Sequence, residues 1–202
     1  MTAQEVERFE RALAEGGVGL FPADTVYGLA ADAESEAGVE RLYRLKGRPQ
    51  DRPAAVMFFD PERALEAVEP LGPRTRHAIS KLLPGPVTAV VPNPRGLYPL
   101  ACGPEPHKLG IRIPGLSVRL EPLLAIRRPI LQSSANPSGA ADPRRLADVD
   151  PAIRAGTDAE LDGGELPGTP STVVDLTGYE GDGAYAVLRE GSLSTADLAA
   201  LI

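Results

Sequence analysis

The chain has 202 residues, 43% of them hydrophobic, which suits one compact domain with a real core. A net charge of −7 argues against a protein that grips nucleic acid over a broad surface, though it leaves room for a local basic site. Cys102 is the only cysteine, which excludes an intrachain disulfide and a cysteine-built zinc site, and no apolar run reaches the roughly 18–20 residues that span a bilayer.

Thr2-Ala3-Gln4-Glu5 is a capping-box pattern, and Val6, Phe9 and Leu13 follow at helical spacing, so a first helix runs to Gly16-Gly17. No basic region precedes an apolar stretch at this start, so a cytoplasmic protein is expected. Residues 18–21 read as a short buried strand and 22–28 as the loop leaving it. A second helix spans 35–46 and stops at Arg48-Pro49, because proline disfavours helix before it. Residues 54–59 read as a strand, 61–68 and 73–83 as helices. Pro84-Gly85-Pro86 is a sharp break before a strand at 87–91. Residues 92–106, rich in Pro and Gly, read as an irregular mobile loop and a candidate lid. A strand at 109–113, a helix at 118–126 and a strand at 130–133 follow, then short helices within 146–155. Strands at 172–176 and 184–188 pair across the Gly-rich turn 178–183, and Ser194 caps a last helix with Leu198 and Leu201 inward. Strand–helix units thus mix with strands that follow one another directly. This order predicts an α/β fold with a mixed, twisted sheet, formed by one domain over residues 1–202.

Several familiar site signatures are absent. No Gly-x-x-x-x-Gly-Lys-Ser/Thr occurs, and Gly178, Gly181 and Gly183 neither match Gly-x-Gly-x-x-Gly nor open a helix. His77 and His107 lie far apart in sequence, and nothing marks a base for Cys102, which reads as a packed or loop cysteine. What the chain does carry is polar residues at four strand or helix ends bounded by Pro or Gly. Lys46, Arg48 and Arg52 form a dense cationic cluster, in which arginine offers planar bidentate donors and lysine a point charge. Ser134 and Asn136 add neutral donors and acceptors. Together they suit a nucleotide bound without a P-loop. The same charges also suit a solvated helix end paired with Asp24, Asp32 or Asp51, and Ser-Ala-Asn-Pro-Ser-Gly alone suits a turn.

Six segments in order resolve that choice: Thr25-Val26-Tyr27-Gly28-Leu29, Lys46-Gly47-Arg48-Pro49, Pro84-Gly85-Pro86-Val87-Thr88, Arg112-Ile113-Pro114, Ser134-Ala135-Asn136-Pro137-Ser138-Gly139 and Ser171-Thr172-Val173-Val174-Asp175. In this order they resemble the YrdC/TsaC family of threonylcarbamoyl-adenylate synthases, and the likeness runs from about Gly16 to Gly191. The resemblance implies a mixed sheet flanked by helices around a concave basic cavity. It implies that ATP, L-threonine and bicarbonate or carbon dioxide yield threonylcarbamoyl-adenylate and pyrophosphate, for a tRNA modification, with Mg²⁺ held mainly by the phosphates. ATP would meet Lys46, Arg48, Arg52, Ser134 and Asn136, and by position Lys108, Asp142 and Arg189. Of these, Lys46, Arg48, Ser134 and Asn136 are the implied catalytic group. L-threonine would meet Thr25, Arg112, Gln132 and Ser171, with Arg112 on its carboxylate, while Thr88 is as readily structural as functional. Two departures bear on the amino acid: Ala23 stands where the family usually has threonine, and Met57 where many members have histidine. The chain resembles the single-domain members. Partners implied are tRNA or double-stranded RNA and downstream tRNA-modification proteins, with no membrane. The alternatives are a non-catalytic RNA-binding module, a nucleotide hydrolase, or a synthase for another amino acid.

Overall fold

The computed structural model describes residues 1–202, the side chain of Pro61 excepted. Helix α1 (Ala3–Ala14) starts on the expected capping box: Thr2 Oγ1 accepts from Glu5 N, and Glu5 Oε2 accepts from Thr2 N. Its inner face buries Val6, Phe9 and Leu13, and Gly16 takes a φ of 78° to let the chain turn away. The remaining helices are α2 (Glu36–Lys46), α3 (Pro61–Val68), α4 (Pro73–Leu82), α5 (Pro99–Cys102), α6 (Pro151–Ala155), α7 (Tyr179–Asp182) and α8 (Thr195–Leu201).

Nine strands make one mixed sheet: β1 (Gly19–Pro22), β2 (Tyr27–Asp32), β3 (Ala55–Met57), β4 (Val87–Pro92), β5 (Lys108–Arg112), β6 (Ile130–Ser134), β7 (Ala159–Glu160), β8 (Thr172–Asp175) and β9 (Ala186–Arg189). Their order is β7-β1-β2-β6-β3-β5-β4-β8-β9. The β1–β7, β3–β5 and β4–β8 pairs are parallel and the others antiparallel. The mixed α/β sheet is therefore as expected.

The differences have physical reasons. Residues 27–32 were expected to begin as loop, yet they form the interior strand β2. All six are buried, so no polar alternation marks them, as in strands covered on both faces. Strand β7 is two residues long and leaves no periodic trace. Residues 118–125 form a 3-10 helix rather than an α-helix, with Pro122 inside it lacking the amide an α-helix would bond. The Gly-rich turn after β8 contains the short α7. Leu198 is fully buried, but Leu201 faces solvent at 43% exposure.

Residues 92–106 are not a free loop. Asn93 is buried and stitches the segment from within, donating to Leu97 O and Pro106 O and accepting from Leu97 N. Cys102 and Ala101 are buried beside it. A long irregular stretch, residues 161–171, carries the chain from β7 at one edge of the sheet to β8 near the other. It turns at Gly164 and Gly168, with φ of 73° and 89°. Tyr27 Oη donates to Asp162 and Gly164 O and accepts from Gly163 N, and Gly168 N donates to Thr25 O.

Each strand serves two faces. In β5, Leu109 and Ile111 are 1% exposed in the core, while Lys108, Gly110 and Arg112 point the other way. In β4, Val87, Ala89 and Val91 enter the core, while Thr88 and Val90 face out. Each fully buried Val, Leu, Ile or Phe stabilises the fold by about 1.5–3 kcal/mol. On the core side Phe21 packs against Phe9 and Phe59 at ring centroid distances of 6.0 and 6.2 Å.

Candidate active site

The outward set of strand residues lines a cavity of about 560 Å³. Its floor is low because small residues sit in register at mid-sheet: Ala55 lies beside Gln132 on β6 and Gly110 on β5, and Gly110 beside Val90 on β4. Six cationic side chains line the wall (Lys46, Arg48, Arg52, Lys108, Arg112 and Arg189) against two carboxylates, Glu105 and Asp142. An acidic chain thus concentrates positive charge in one concavity, where low-dielectric walls strengthen its field.

Lys46 is the last residue of α2, and Gly47 (φ 62°) lets the chain reverse directly after it. Lys46 is 6% exposed. Its Nζ donates to Asn136 O at 2.8 Å, Asn136 Oδ1 at 2.7 Å and Ser134 O at 2.5 Å, and lies 3.3 Å from Ser134 Oγ. Ser134 Oγ donates to Asn136 Oδ1 at 2.6 Å, and Asn136 Nδ2 to Ala140 O. An ammonium has three protons, so this cage fixes its direction. Burial, and then the Arg48 charge, push its pKa down to about 8. The helix-end lysine and the post-β6 turn are thereby one unit, although 88 residues separate Lys46 from Ser134.

Arg48 lies over the Tyr43 ring at 5.6 Å and donates to Pro53 O, but its buried Nε has no partner. Burial lowers its pKa. Arg52 is exposed on the same wall. Arg189 donates to Ser171 O at 2.7 Å and Ser171 Oγ at 3.2 Å, and burial also lowers its pKa. The alternative, a 46–52 cluster paired with Asp24, Asp32 or Asp51, is not found among the described residues: Asp24 pairs with Arg112, Asp32 with Arg128, and Asp51 makes no ion pair. Lys108 differs from its neighbours, being held by Glu105 at 3.0 Å and Asp175 at 3.6 Å, with its pKa raised chiefly by the Glu105 contact.

At the far end of β5, Arg112 is 3% exposed. Its Nη2 donates to Asp24 and, at 2.7 Å, to Thr25 Oγ1, while its Nε has no partner. Burial lowers its pKa, opposed by Asp24. Ser171 Oγ lies 3.0 Å from Thr88 Oγ1 in the same region.

Of the residues singled out in the sequence, Lys46, Arg48, Arg52, Lys108, Ser134, Asn136, Asp142, Arg189, Arg112, Gln132 and Ser171 all line this cavity. Thr25 does not: it stands behind Arg112 and reaches the site only through that guanidinium. Met57 is fully buried and also off the wall. Sequence reasoning missed the apolar part of the lining, including Ala55, Val90, Gly110 and Val173. The available signal was the period of two, which places Gly110 on the same face as Arg112. Cys102 reaches the wall as well, but its thiol donates to Leu97 O and Tyr98 O, and burial raises its pKa, which leaves it unreactive.

The family model Sua5_yciO_yrdC, described as "Telomere recombination", matches residues 11–191. The chain is similar to a threonylcarbamoyl-AMP synthase of Pyrococcus abyssi, with 30% identity over 93% of this chain and 54% of that protein. A threonylcarbamoyl-AMP synthase of Hahella chejuensis is 31% identical over 81% of this chain and 88% of its own length. The crystal structure of P. abyssi Sua5 complexed with L-threonine superposes with a TM-score of 0.87 at 28% identity, covering 100% of this chain and 58% of that one. The chain thus spans about half the length of the first of these relatives.

Proposed function

The chain belongs to the Sua5/YciO/YrdC family, and from that premise we propose that it makes L-threonylcarbamoyl-adenylate from ATP, L-threonine and bicarbonate or carbon dioxide, releasing pyrophosphate. The carrying observation is the division of cavity charge: Lys46, Arg48, Arg52 and Arg189 have no carboxylate partner among the described residues, while Arg112 stands apart with Asp24. The unpaired group suits a triphosphate, and Arg112 suits an amino-acid carboxylate, with Ser171 and Gln132 beside it. P. abyssi Sua5, which binds L-threonine, supports that assignment by its likeness.

In the proposed reaction the threonine amine adds to carbon dioxide and loses a proton. An oxygen of the new carbamate attacks the α-phosphorus of ATP as the bond to the β-phosphate breaks, and pyrophosphate leaves. No protein nucleophile is needed. The chain's part is to align the reactants, worth up to about 7–11 kcal/mol in favourable cases, and to offset charge on the phosphates through Lys46 and Arg48. Among the described residues no three His, Cys, Asp or Glu side chains converge. That donor set fits a Mg²⁺ ion held mainly by phosphate oxygens, with Asp142 and Glu105 the available wall carboxylates, and the ion would add charge neutralisation. The reading extends to a cytoplasmic role in tRNA modification, with tRNA and downstream modification proteins as partners. Among the described residues no helix is long and apolar enough to cross a membrane.

The test is pyrophosphate release from ATP with threonine and bicarbonate omitted in turn, and mass spectrometry of the adenylate. Release that needs both, with the matching mass, is expected. Release that needs neither would identify a hydrolase instead. In the same assay Arg112→Ala raises the KM for threonine far more than that for ATP, and equal changes would remove Arg112 from the amino-acid end.

A further inference from the structure

Two cavity cations have carboxylate partners, and they are unlike. Lys108 pairs at the rim with Glu105, whose side chain is 46% exposed. Arg112 and Asp24 are both buried, at 3% and 5%. Asp24 is itself held on both oxygens: Oδ1 accepts from Arg112 Nη2 and Oδ2 from Gly115 N at 3.0 Å. It cannot rotate away without losing one of them. Both Nη2 protons are committed, one to Asp24 and one to Thr25 Oγ1. Nε is buried without a partner, so the Nη1 protons, which make no bond to the protein, are what Arg112 has left to offer a ligand.

We propose that Asp24 is a specificity-determining and positioning residue, which fixes Arg112 and reserves this end of the cavity for the carboxylate of a zwitterion by excluding polyphosphate. The physical problem is one of sign. The cavity wall attracts polyanions, and a bare buried guanidinium beside the triphosphate site would attract a second phosphate group. A contact carboxylate cancels the guanidinium's charge at a distance but leaves its free N–H donors in place. An amino acid, with no net charge, loses nothing by this. Phosphate or pyrophosphate meets the Asp24 charge through low-dielectric surroundings and is disfavoured. Discrimination thus comes from an element that repels the competitor.

The inference rests on the amino-acid reading of the Arg112 end, so it is tested by binding, which needs no turnover. Calorimetry would follow L-threonine binding to the wild-type chain and to Asp24→Asn and Asp24→Glu, each with and without excess inorganic phosphate, alongside ATP binding. In the wild type, phosphate weakens ATP binding and leaves threonine binding unchanged. In Asp24→Asn, phosphate competes with threonine and weakens its apparent affinity by about tenfold or more, while ATP affinity stays within about twofold. Asp24→Glu retains the charge and restores the exclusion. Phosphate failing to compete in Asp24→Asn would overturn the proposal. If Asp24→Asn does not fold, the wild type decides alone, since phosphate that displaces threonine there contradicts the proposal directly. A wild type that binds ATP but never threonine would sink the amino-acid reading and this inference with it, a pattern distinct from failed discrimination.

Discussion

The two faces of the central sheet are built from the same strands but answer to different demands. On the core face, Leu109 and Ile111 of β5 are packed out of water, in register with the buried Val91 and Ala89 of β4. On the cavity face, one residue along the chain, Gly110 has Ala55 Cβ 3.5 Å from where a Cβ of its own would stand, an ordinary contact, and open space above. The core face fills volume, and the cavity face preserves it. Adjacent residues therefore fail in opposite ways when changed.

Four measurements would sharpen or break this contrast. Ile111→Ala should have the largest effect, destabilising the fold by about 2–5 kcal/mol in denaturant unfolding, with both KM values of the folded fraction unchanged. Lys46→Ala should lose about 10²–10³-fold in pyrophosphate release with an unaltered circular dichroism spectrum; wild-type turnover would remove Lys46 from the chemistry. Gly110→Val should leave the unfolding midpoint nearly fixed and lower kcat/KM by about ten- to a hundredfold, because its methyl groups raise the floor. A stability loss as large as that of Ile111→Ala would mean the two faces are not separable.

The smallest effect is a pH dependence with two signs. The Lys46 pKa falls from 10.5 to about 8 on folding. Between about pH 8 and 10.5 the unfolded chain holds this proton and the folded chain has released it, so stability rises with pH across that window. ATP affinity should fall over the same range as the ammonium is lost. Lys46→Met should flatten both trends, and opposite slopes in the wild type are the signature to look for in paired unfolding and binding titrations.

Charge and turn chemistry were the most legible features of the sequence. Lys46, Arg48, Ser134 and Asn136 sit at Gly- or Pro-bounded element ends, and the structure brings them onto one wall. The capping box likewise placed the start of α1, and the proline stop the end of α2. Less legible was anything defined by what it lacks. The strand β2 is uniformly buried, so its pattern carries no period, and the cavity floor is made of Ala and Gly, which no motif marks. Thr25 illustrates a second limit: the family resemblance implied a direct contact with threonine, whereas the structure puts Thr25 off the cavity wall, behind Arg112. Residues 92–106 read as loose by composition, but the buried amide of Asn93, the short α5 and the buried Cys102 hold them in place.

The strap over residues 161–171 has a mechanical consequence. Seven inter-strand steps separate β7 from β8 in the sheet order. Laid flat, at about 4.8 Å per step, that is roughly 34 Å. The strap could reach at most ~40 Å if fully extended, and its turns at Gly164 and Gly168 take up part of that reach. The tether is thus close to the flat span, with little slack to let the two sides of the sheet part further. The strap therefore acts as a tether between the two sides of the sheet, and its residue count limits how far they can spread. That limit is written in a segment that contributes little but Pro170 and Ser171 to the cavity walls.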